Sequence, residues 1–350
     1  MECKRDDRSP ISTVGIEFPF FKGSKNGGLV EATGHLDLGP TQVSVTITHC
    51  GVCGTDEHFR RVDQGLSHEG TGTIVELGSS VHVISDFQVG DRVGMGWFHR
   101  FCGYCNFCGQ TGRQTLCVNR SSYGSADQDQ GCFGSALAWD ISALYKIPES
   151  IASEDAGPLV CGGATVWTPL YDSGVKPGAR VGVIGIGGLG HMAIQFASKM
   201  GLEVVVFSNT ESKKQEALGF GASELHATQS RESLKGVKPI DIFMITTSVN
   251  PKMSLYYPIL VHAAKVYPLT VSMENRDGVS PMNLINDSFV IVDSGVAATA
   301  SIRVMLEFAA RHKVRPQIEK FPMTVTGIND AMQKLRDGKM RYRGVLVAPQ

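Results

Sequence analysis

Four cysteines stand within 16 residues, Cys102, Cys105, Cys108 and Cys117, spaced C-x2-C-x2-C-x8-C. Thiolates this close along a chain suit a closed tetrahedral zinc site, with Zn–S of roughly 2.3 Å and no coordination position left open. An iron–sulfur cluster also accepts four cysteines, but no electron-transfer pattern accompanies these, and the spacing predicts structural zinc. A second chemical stretch is made of glycine. Residues 180–190 read R-V-G-V-I-G-I-G-G-L-G, so Gly185, Gly187 and Gly190 spell G-x-G-x-x-G, with Gly188 and Leu189 inside the turn. A β-branched run precedes the pattern and a helix-compatible segment follows it. In that setting the first glycine permits a tight turn, the second lets backbone N–H groups approach a pyrophosphate, and the third lets helix pack against strand. The helix N-terminus adds a positive dipole end. The stretch predicts dinucleotide binding, against the plainer reading of a glycine-rich turn in another parallel α/β unit.

Which dinucleotide depends on the second strand. An NAD site usually carries Asp or Glu about 20 residues past the glycines, on the ribose hydroxyls. Here the strand expected at 204–207 runs into Ser208, Asn209 and Thr210, with Lys213 and Lys214 close behind. A carboxylate would repel a 2′-phosphate, whereas hydroxyls, an amide and an ammonium bind it. The expectation is NADP(H), held by Ser208, Asn209, Thr210 and Lys213. Glu211 is the dissenting charge, placed at the start of the next helix and facing water. A solvated helix face is the competing account of the two lysines.

These groups need elements to position them. Residues 1–40 are rich in glycine, proline and short β-type runs; 43–48 alternates as a strand, and short strands continue at 72–75 and 91–93. This reads as a β-rich, partly barrel-like domain. From Arg180 onward, strands expected at 181–184, 204–207, 240–245, 265–268 and 289–292 alternate with helices at 189–200, 212–219 and 252–263, the pattern of a doubly wound parallel sheet. A strongly amphipathic helix at 301–312 precedes a stretch that reads as a return to the first domain. The fold class expected is α/β. Its domains are 1–160, catalytic, with a metal lobe at 100–118; 161–298, nucleotide-binding; and 299–350, the return.

At 350 residues the chain can bury a sizeable core. Its net charge of −1 implies no basic face for nucleic acid. No run approaches the ~18 apolar residues of a membrane helix, and the charged start M-E-C-K-R-D-D-R is unlike a secretory signal. Six of the nine cysteines lie between Cys50 and Cys117 at metal-ligand spacings, which favours a reducing compartment over a disulfide framework. The expectation is a soluble cytoplasmic protein with no nucleic-acid or membrane partner, in which Cys3, Cys50 and Cys132 are free thiols without a role.

Over nearly its whole length the chain resembles the zinc-dependent medium-chain alcohol dehydrogenases, and among them the cinnamyl-alcohol-dehydrogenase-like branch. The likeness is carried by C-G-V-C-G-T-D-E-H at 50–58, H-E-G at 68–70, V-G-D-R-V at 89–93 and the four-cysteine lobe. P-L-V-C-G-G-A-T-V at 158–166, G-I-G-G-L-G-H-M at 185–192 and R-Y-R at 341–343 complete it. The fold this implies is a GroES-like β-rich catalytic domain joined to a Rossmann domain. The resemblance implies that Cys53, His68 and Cys161 hold a catalytic zinc, with Glu69 as an occasional fourth ligand, so that each chain carries two Zn2+ ions. It places Asp56 where a carboxylate orients the ligands, Thr55 as the hydroxyl at the reacting oxygen, and His58 at the end of a proton relay. The implied reaction is hydride transfer between NADP(H) and a small-molecule alcohol or aldehyde. Zinc acts as a Lewis acid on a carbonyl or alkoxide oxygen, while Thr55, the nicotinamide ribose hydroxyl and His58 pass the proton. A homodimer through sheet edges of the nucleotide domain is implied as well. Two other readings stand beside this one. The same hydride can reduce a conjugated C=C or iminium bond, which Thr55 and His58 speak against, or the chain can be a nucleotide-binding protein that has lost turnover.

The chain departs from the pattern at three places. Only 14 residues separate Cys53 from His68, where relatives carry several more. Ser67 stands where they have glycine, and the lobe has one extra residue before Cys117. The shortened stretch normally helps to form the substrate cleft, so the family's substrates do not transfer. Trp97, Phe98 and Phe59 are candidates to line an apolar cleft, with core packing as the alternative for each.

Overall fold

Two strands of the second half, Glu203–Ser208 and Ile240–Ile245, are apolar on both faces. In Glu203–Ser208, Val204 and Val206 belong to one core and Val205 and Phe207 to another; Ile242 and Met244 divide from Phe243 and Ile245 in the same way. Such strands belong inside a parallel sheet covered on both sides. The computed structural model describes residues 16–228, 230, 232–269 and 289–349. In it, six parallel strands run in the spatial order Glu224–Ala227, Glu203–Ser208, Arg180–Ile184, Ile240–Ile245, Leu260–Pro268 and Val290–Ile291. The order reverses at Arg180–Ile184, and a sheet of this kind receives its ligand in the crevice at such a switch point. Helices Ala164–Tyr171, Gly190–Lys199 and Thr299–His312 close one face through Trp167, Phe196, Ile302 and Met305. This is the doubly wound α/β architecture expected.

The other large sheet has seven strands. Across it run Ile318–Pro322, Arg343–Val347, Gln42–Val52, Gly70–Leu77, Arg92–Met95 and Leu144–Lys146, and Ala136–Asp140 also pairs with Gln42–Val52. Gln42–Val52 takes three partners. Arg343–Val347 lies against its C-terminal end, with Gly344 opposite Val52, while Ala136–Asp140 covers its start and Gly70–Leu77 its other side. Late residues therefore complete an early sheet.

Two elements differ from expectation. Residues 252–263 are not a helix: two 3-10 turns, Met253–Leu255 and Tyr257–Ile259, run into strand Leu260–Pro268. Pro258 removes an amide donor and disfavours the α conformation at Tyr257, and the apolar run that follows suits a covered strand. Strand Glu224–Ala227, too short and polar to read from sequence, is tied in by Arg180, whose guanidinium donates to Glu203 on the adjacent strand and to Glu224 on the strand beyond it. Cys3 lies outside the described residues. The eight described cysteines form no disulfide, and among the described residues no helix is long and apolar enough to cross a membrane.

Candidate active site

The lobe folds its four cysteines together over a short path. Helix Asn106–Gly109 starts at Cys105, and the turn Gln114–Leu116 delivers Cys117. All four sulfurs lie within 4.8 Å of one another; Cys102 and Cys117 are 3.5 Å apart, and Cys102 and Cys108 4.0 Å. A hydrogen bond from the Cys108 backbone N–H pulls the Cys105 thiol down to about 6, while burial and the neighbouring Cys117 thiol push Cys108 up to about 12. Against desolvation, the backbone N–H groups of Cys105 and Tyr104 lower Cys102. Crowded thiols release their first protons easily and hold the last until a cation arrives, and four sulfur donors with no carboxylate or water position among them suit zinc.

The second cluster is gathered from separate elements. Cys53 follows strand Gln42–Val52 and precedes helix Gly54–Phe59, and His68 and Glu69 precede strand Gly70–Leu77. Cys161 sits in a π-helical turn, Leu159–Gly163, between helices Ser153–Pro158 and Ala164–Tyr171. Such wide turns re-aim a side chain and recur at functional sites. One ligand atom from each of Cys53, His68, Glu69 and Cys161 lies within 4.8 Å of the others, and His68 Nε2 is 3.2 Å from Cys161 Sγ.

Asp56 organises this cluster. It is fully buried, its Oδ2 accepts the Cys53 backbone N–H at 2.8 Å, and its Oδ1 accepts the Tyr123 hydroxyl at 3.3 Å and stands 3.6 Å from His68 Nδ1. Burial raises the Asp56 pKa against the pull of His68. On His68 burial works against the charged form, but Asp56 and Cys53 outweigh it and raise the imidazole well above its usual range. Cys53 is held well below its ordinary value, first by its contact with Cys161, and that same contact pushes Cys161 up. Burial lifts Glu69 to about 7, opposed by the Arg343 guanidinium with which it pairs. Its second oxygen, Oε2, is buried without a hydrogen-bond partner, and so is His68 Nδ1. Gly51 is required here, since a Cβ would stand 2.0 Å from Glu69 Oε2. Two sulfurs, one imidazole nitrogen and a carboxylate drawn off by an arginine make a donor set that suits zinc with one position open.

Thr55 Oγ1 lies 3.5 Å from Cys53 Sγ, and His58 is one turn further along the same helix, exposed to solvent. Trp97 and Tyr123 flank the His68 ring at centroid distances of 5.2 and 4.8 Å, and Phe59 meets Tyr123 edge-on at 4.9 Å. Phe98 instead packs on Phe101 in the core. The short Cys53–His68 connection is clamped: Gly65 N–H donates to Gln128 O, Leu66 N–H to Phe21 O, and Leu66 O and Ser67 O accept from Phe133 and Cys132. Ser67 sits at φ +73°, the region glycine favours, with its hydroxyl donating to Gly51 O at 3.1 Å. Arg343 and Tyr123 escaped sequence reasoning. R-Y-R marked the place, but no spacing rule joins Arg343 to a carboxylate 274 residues away.

At the glycine turn, Gly185 has φ +92° and Gly190 packs so close that a Cβ would meet Gly185 O at 2.0 Å. Gly187 has nothing within 4 Å of such a Cβ and faces open space beside the start of helix Gly190–Lys199. Ser208 ends its strand, with Asn209 and Thr210 exposed after it. The two lysines part company. Lys214 pairs with Glu211 at 3.6 Å, as a solvated face would have it, whereas Lys213 turns inward and donates to Ile186 O at 2.8 Å.

Residues 39–149 match the family described as alcohol dehydrogenase GroES-like domain, and residues 188–311 match that described as zinc-binding dehydrogenase. The aldehyde reductase AdhA of Synechocystis sp. is 33% identical over 317 residues, 88% of this chain and 92% of its own. A cinnamyl alcohol dehydrogenase of Sorghum bicolor superposes with a TM-score of 0.86 at 26% identity, covering 95% of this chain and 98% of that one. The chain belongs to the zinc-dependent medium-chain alcohol dehydrogenases, in the cinnamyl-alcohol-dehydrogenase-like branch. CAD from Helicobacter pylori, solved with NADP(H), superposes with a TM-score of 0.85 at 25% identity over 95% of this chain and 99% of its own. In this dehydrogenase the four-cysteine lobe and Cys53, His68 and Glu69 fall inside the first matched stretch, while Cys161 and Gly185 lie between the two.

Proposed function

We propose that this alcohol dehydrogenase is an NADP(H)-dependent zinc enzyme that works as an aldehyde reductase on small molecules. The observation that carries the reading is the convergence of Cys53, His68 and Cys161 beside Thr55, with Glu69 drawn off by Arg343. Three donors around one point suit a catalytic zinc whose fourth position stays free, and the four-cysteine lobe suits a second, structural ion. Bound at the first site, zinc supplies Lewis-acid polarisation of a carbonyl. The chain's own groups do the remainder. Asp56 anchors Cys53 by its backbone N–H and faces His68, so the donors keep one orientation. Trp97 and Tyr123 shield the His68 ring. The Thr55 hydroxyl hydrogen-bonds the reacting oxygen, and His58 exchanges the proton with solvent. The turn at Gly185, Gly187, Gly188, Leu189 and Gly190 takes the pyrophosphate, and Ser208, Asn209, Thr210 and Lys213 take the 2′-phosphate. The aldehyde reductase name of one relative and the NADP(H) complex of another support the same assignment.

The organisation we assign is a catalytic domain over 1–160, a nucleotide domain over 161–298 and a return over 299–350. A cytoplasmic homodimer joined through sheet edges completes the reading, and the exposed side chains of the edge strand Val290–Ile291 support that contact. The test is NADPH oxidation with a panel of aldehydes, alongside metal analysis of protein prepared without chelator. Aldehyde turnover and two zinc ions per chain are expected. Turnover of conjugated alkenes or iminium ions alone, or nucleotide binding without turnover, would replace the proposal. One zinc per chain, released only when the lobe is destroyed, would empty the catalytic site.

A further inference from the structure

Lys213 is not the only cation at its aromatic neighbour. Its Nζ lies 5.0 Å from the centroid of the Tyr342 ring, and the Arg341 guanidinium lies 5.4 Å from the same centroid. The two come from far apart in the chain. Lys213 precedes helix Lys214–Gly219 beside the nucleotide sheet, and Arg341 precedes strand Arg343–Val347 of the other sheet. Burial lowers the Lys213 pKa, and Arg341 adds to that effect as a nearby like charge does. The carboxylates around them are few. Glu216 accepts the Tyr342 hydroxyl and lies 3.8 Å from Arg341 Nε. Glu319 accepts the Arg341 backbone N–H and pairs with Lys334, and Glu211 pairs with Lys214. Two cations thus meet at one ring with Glu216 as their shared counter-charge, and the Arg341 side chain keeps 42% exposure. Like charges held together cost free energy that an arriving dianion removes.

We propose that Arg341 is a second cationic contact for the nucleotide 2′-phosphate, so that preference for NADP(H) is set jointly by the nucleotide sheet and by the returning C-terminal segment. This rests on the NADP(H) reading above. Lys213 already gives one donor to Ile186 O, and a phosphate with three acceptor oxygens has room for a second partner. The guanidinium fork of Arg341 suits that role. In the free protein Glu216 holds the arginine over Tyr342, and the phosphate takes over from it.

Equilibrium binding of NADPH, NADH and adenosine 2′,5′-bisphosphate, followed by calorimetry, tests this. Arg341→Ala is expected to weaken NADPH and the bisphosphate about tenfold or more and to leave NADH within about twofold, as is Lys213→Ala. Glu216→Gln, which frees Arg341, is expected to tighten NADPH and not NADH. If Arg341→Ala binds NADPH as the wild type does while Lys213→Ala loses it, the proposal falls and the NADP(H) reading stands. A wild type that binds NADPH and NADH equally overturns the reading and the proposal with it. Equal weakening of all three nucleotides marks a purely structural arginine and also overturns the proposal. Should Arg341→Ala fail to fold, Arg341→Gln and Glu216→Gln decide between the same outcomes, and no change in nucleotide discrimination in either is a refutation.

Discussion

The two thiol clusters of this dehydrogenase solve opposite problems. The lobe takes four like donors from one stretch of 16 residues, and three of them stay only half buried. The other cluster draws unlike donors from three parts of the chain, spread from Cys53 to Cys161, and surrounds them with buried Asp56, Glu69 and Arg343. A local cluster closes short loops, so that the binding energy of a metal held there goes into folding. A dispersed cluster is brought together by two strands of one sheet and a helix turn that fold for their own reasons. Its donors are already in place, and a zinc held there as proposed would keep its remaining valence for chemistry. The two clusters therefore differ first in how the chain reaches them.

Exchanging one cysteine in each cluster is the strongest way to break this comparison. Cys53→Ser is expected to lower turnover by about a thousandfold, ~4 kcal/mol of barrier, with little change in melting temperature. Cys102→Ser is expected to lower the melting temperature and release the lobe's metal, while turnover per folded molecule persists. Turnover and thermal melts on the same preparations would show the reverse pattern if the roles were exchanged.

An effect of comparable size, on stability rather than turnover, probes what only the dispersed cluster has, its buried ion pair. Arg343→Met leaves the Glu69 carboxylate unpaired and should cost about 3–5 kcal/mol in denaturant unfolding, much of it recovered in Glu69→Gln/Arg343→Met. The pH profile carries a matching sign. Glu69 is raised from 4.5 to about 7 by burial, so in metal-free protein the folded state holds that proton more tightly than the unfolded chain. Its stabilising share is full below pH 4.5 and is lost as the pH rises through about 7, and Glu69→Gln should flatten that window.

The mildest effect concerns Ser67 beside His68. Ser67→Gly relieves the left-handed backbone but loses the bond to Gly51 O, so stability should move by no more than about 0.5 kcal/mol. Ser67→Ala keeps the strain and loses the bond, and should cost about 1–2 kcal/mol. Thermal melts of the pair sharpen how much of the shortened connection is held by its hydroxyl.

What sequence made legible follows the same local–dispersed divide. The lobe, the glycine turn and the strands Arg180–Ile184, Glu203–Ser208 and Ile240–Ile245 are written in neighbouring residues, and reading neighbours finds them. His68 and Cys161 became candidates only through resemblance, because nothing in their spacing joins them. The inward turn of Lys213, the Tyr123 hydroxyl on Asp56 and the Arg343–Glu69 pair depend on tertiary approach, which no periodicity encodes. The helix expected at 252–263 fails for a readable reason that an apolar run concealed, the Pro258 amide.

The pairing of Arg343–Val347 with Gln42–Val52 also governs the life of the nascent chain. Gln42–Val52 leaves the ribosome long before its partner exists, so the sheet built on it waits with an open flank while the six parallel strands are still being made. Contacts of such sequence separation form slowly, and an unpaired strand flank is a template for other chains. A chain released before Arg343 would expose that flank and strand the Glu69 carboxylate at once. It would aggregate rather than persist as an inactive monomer.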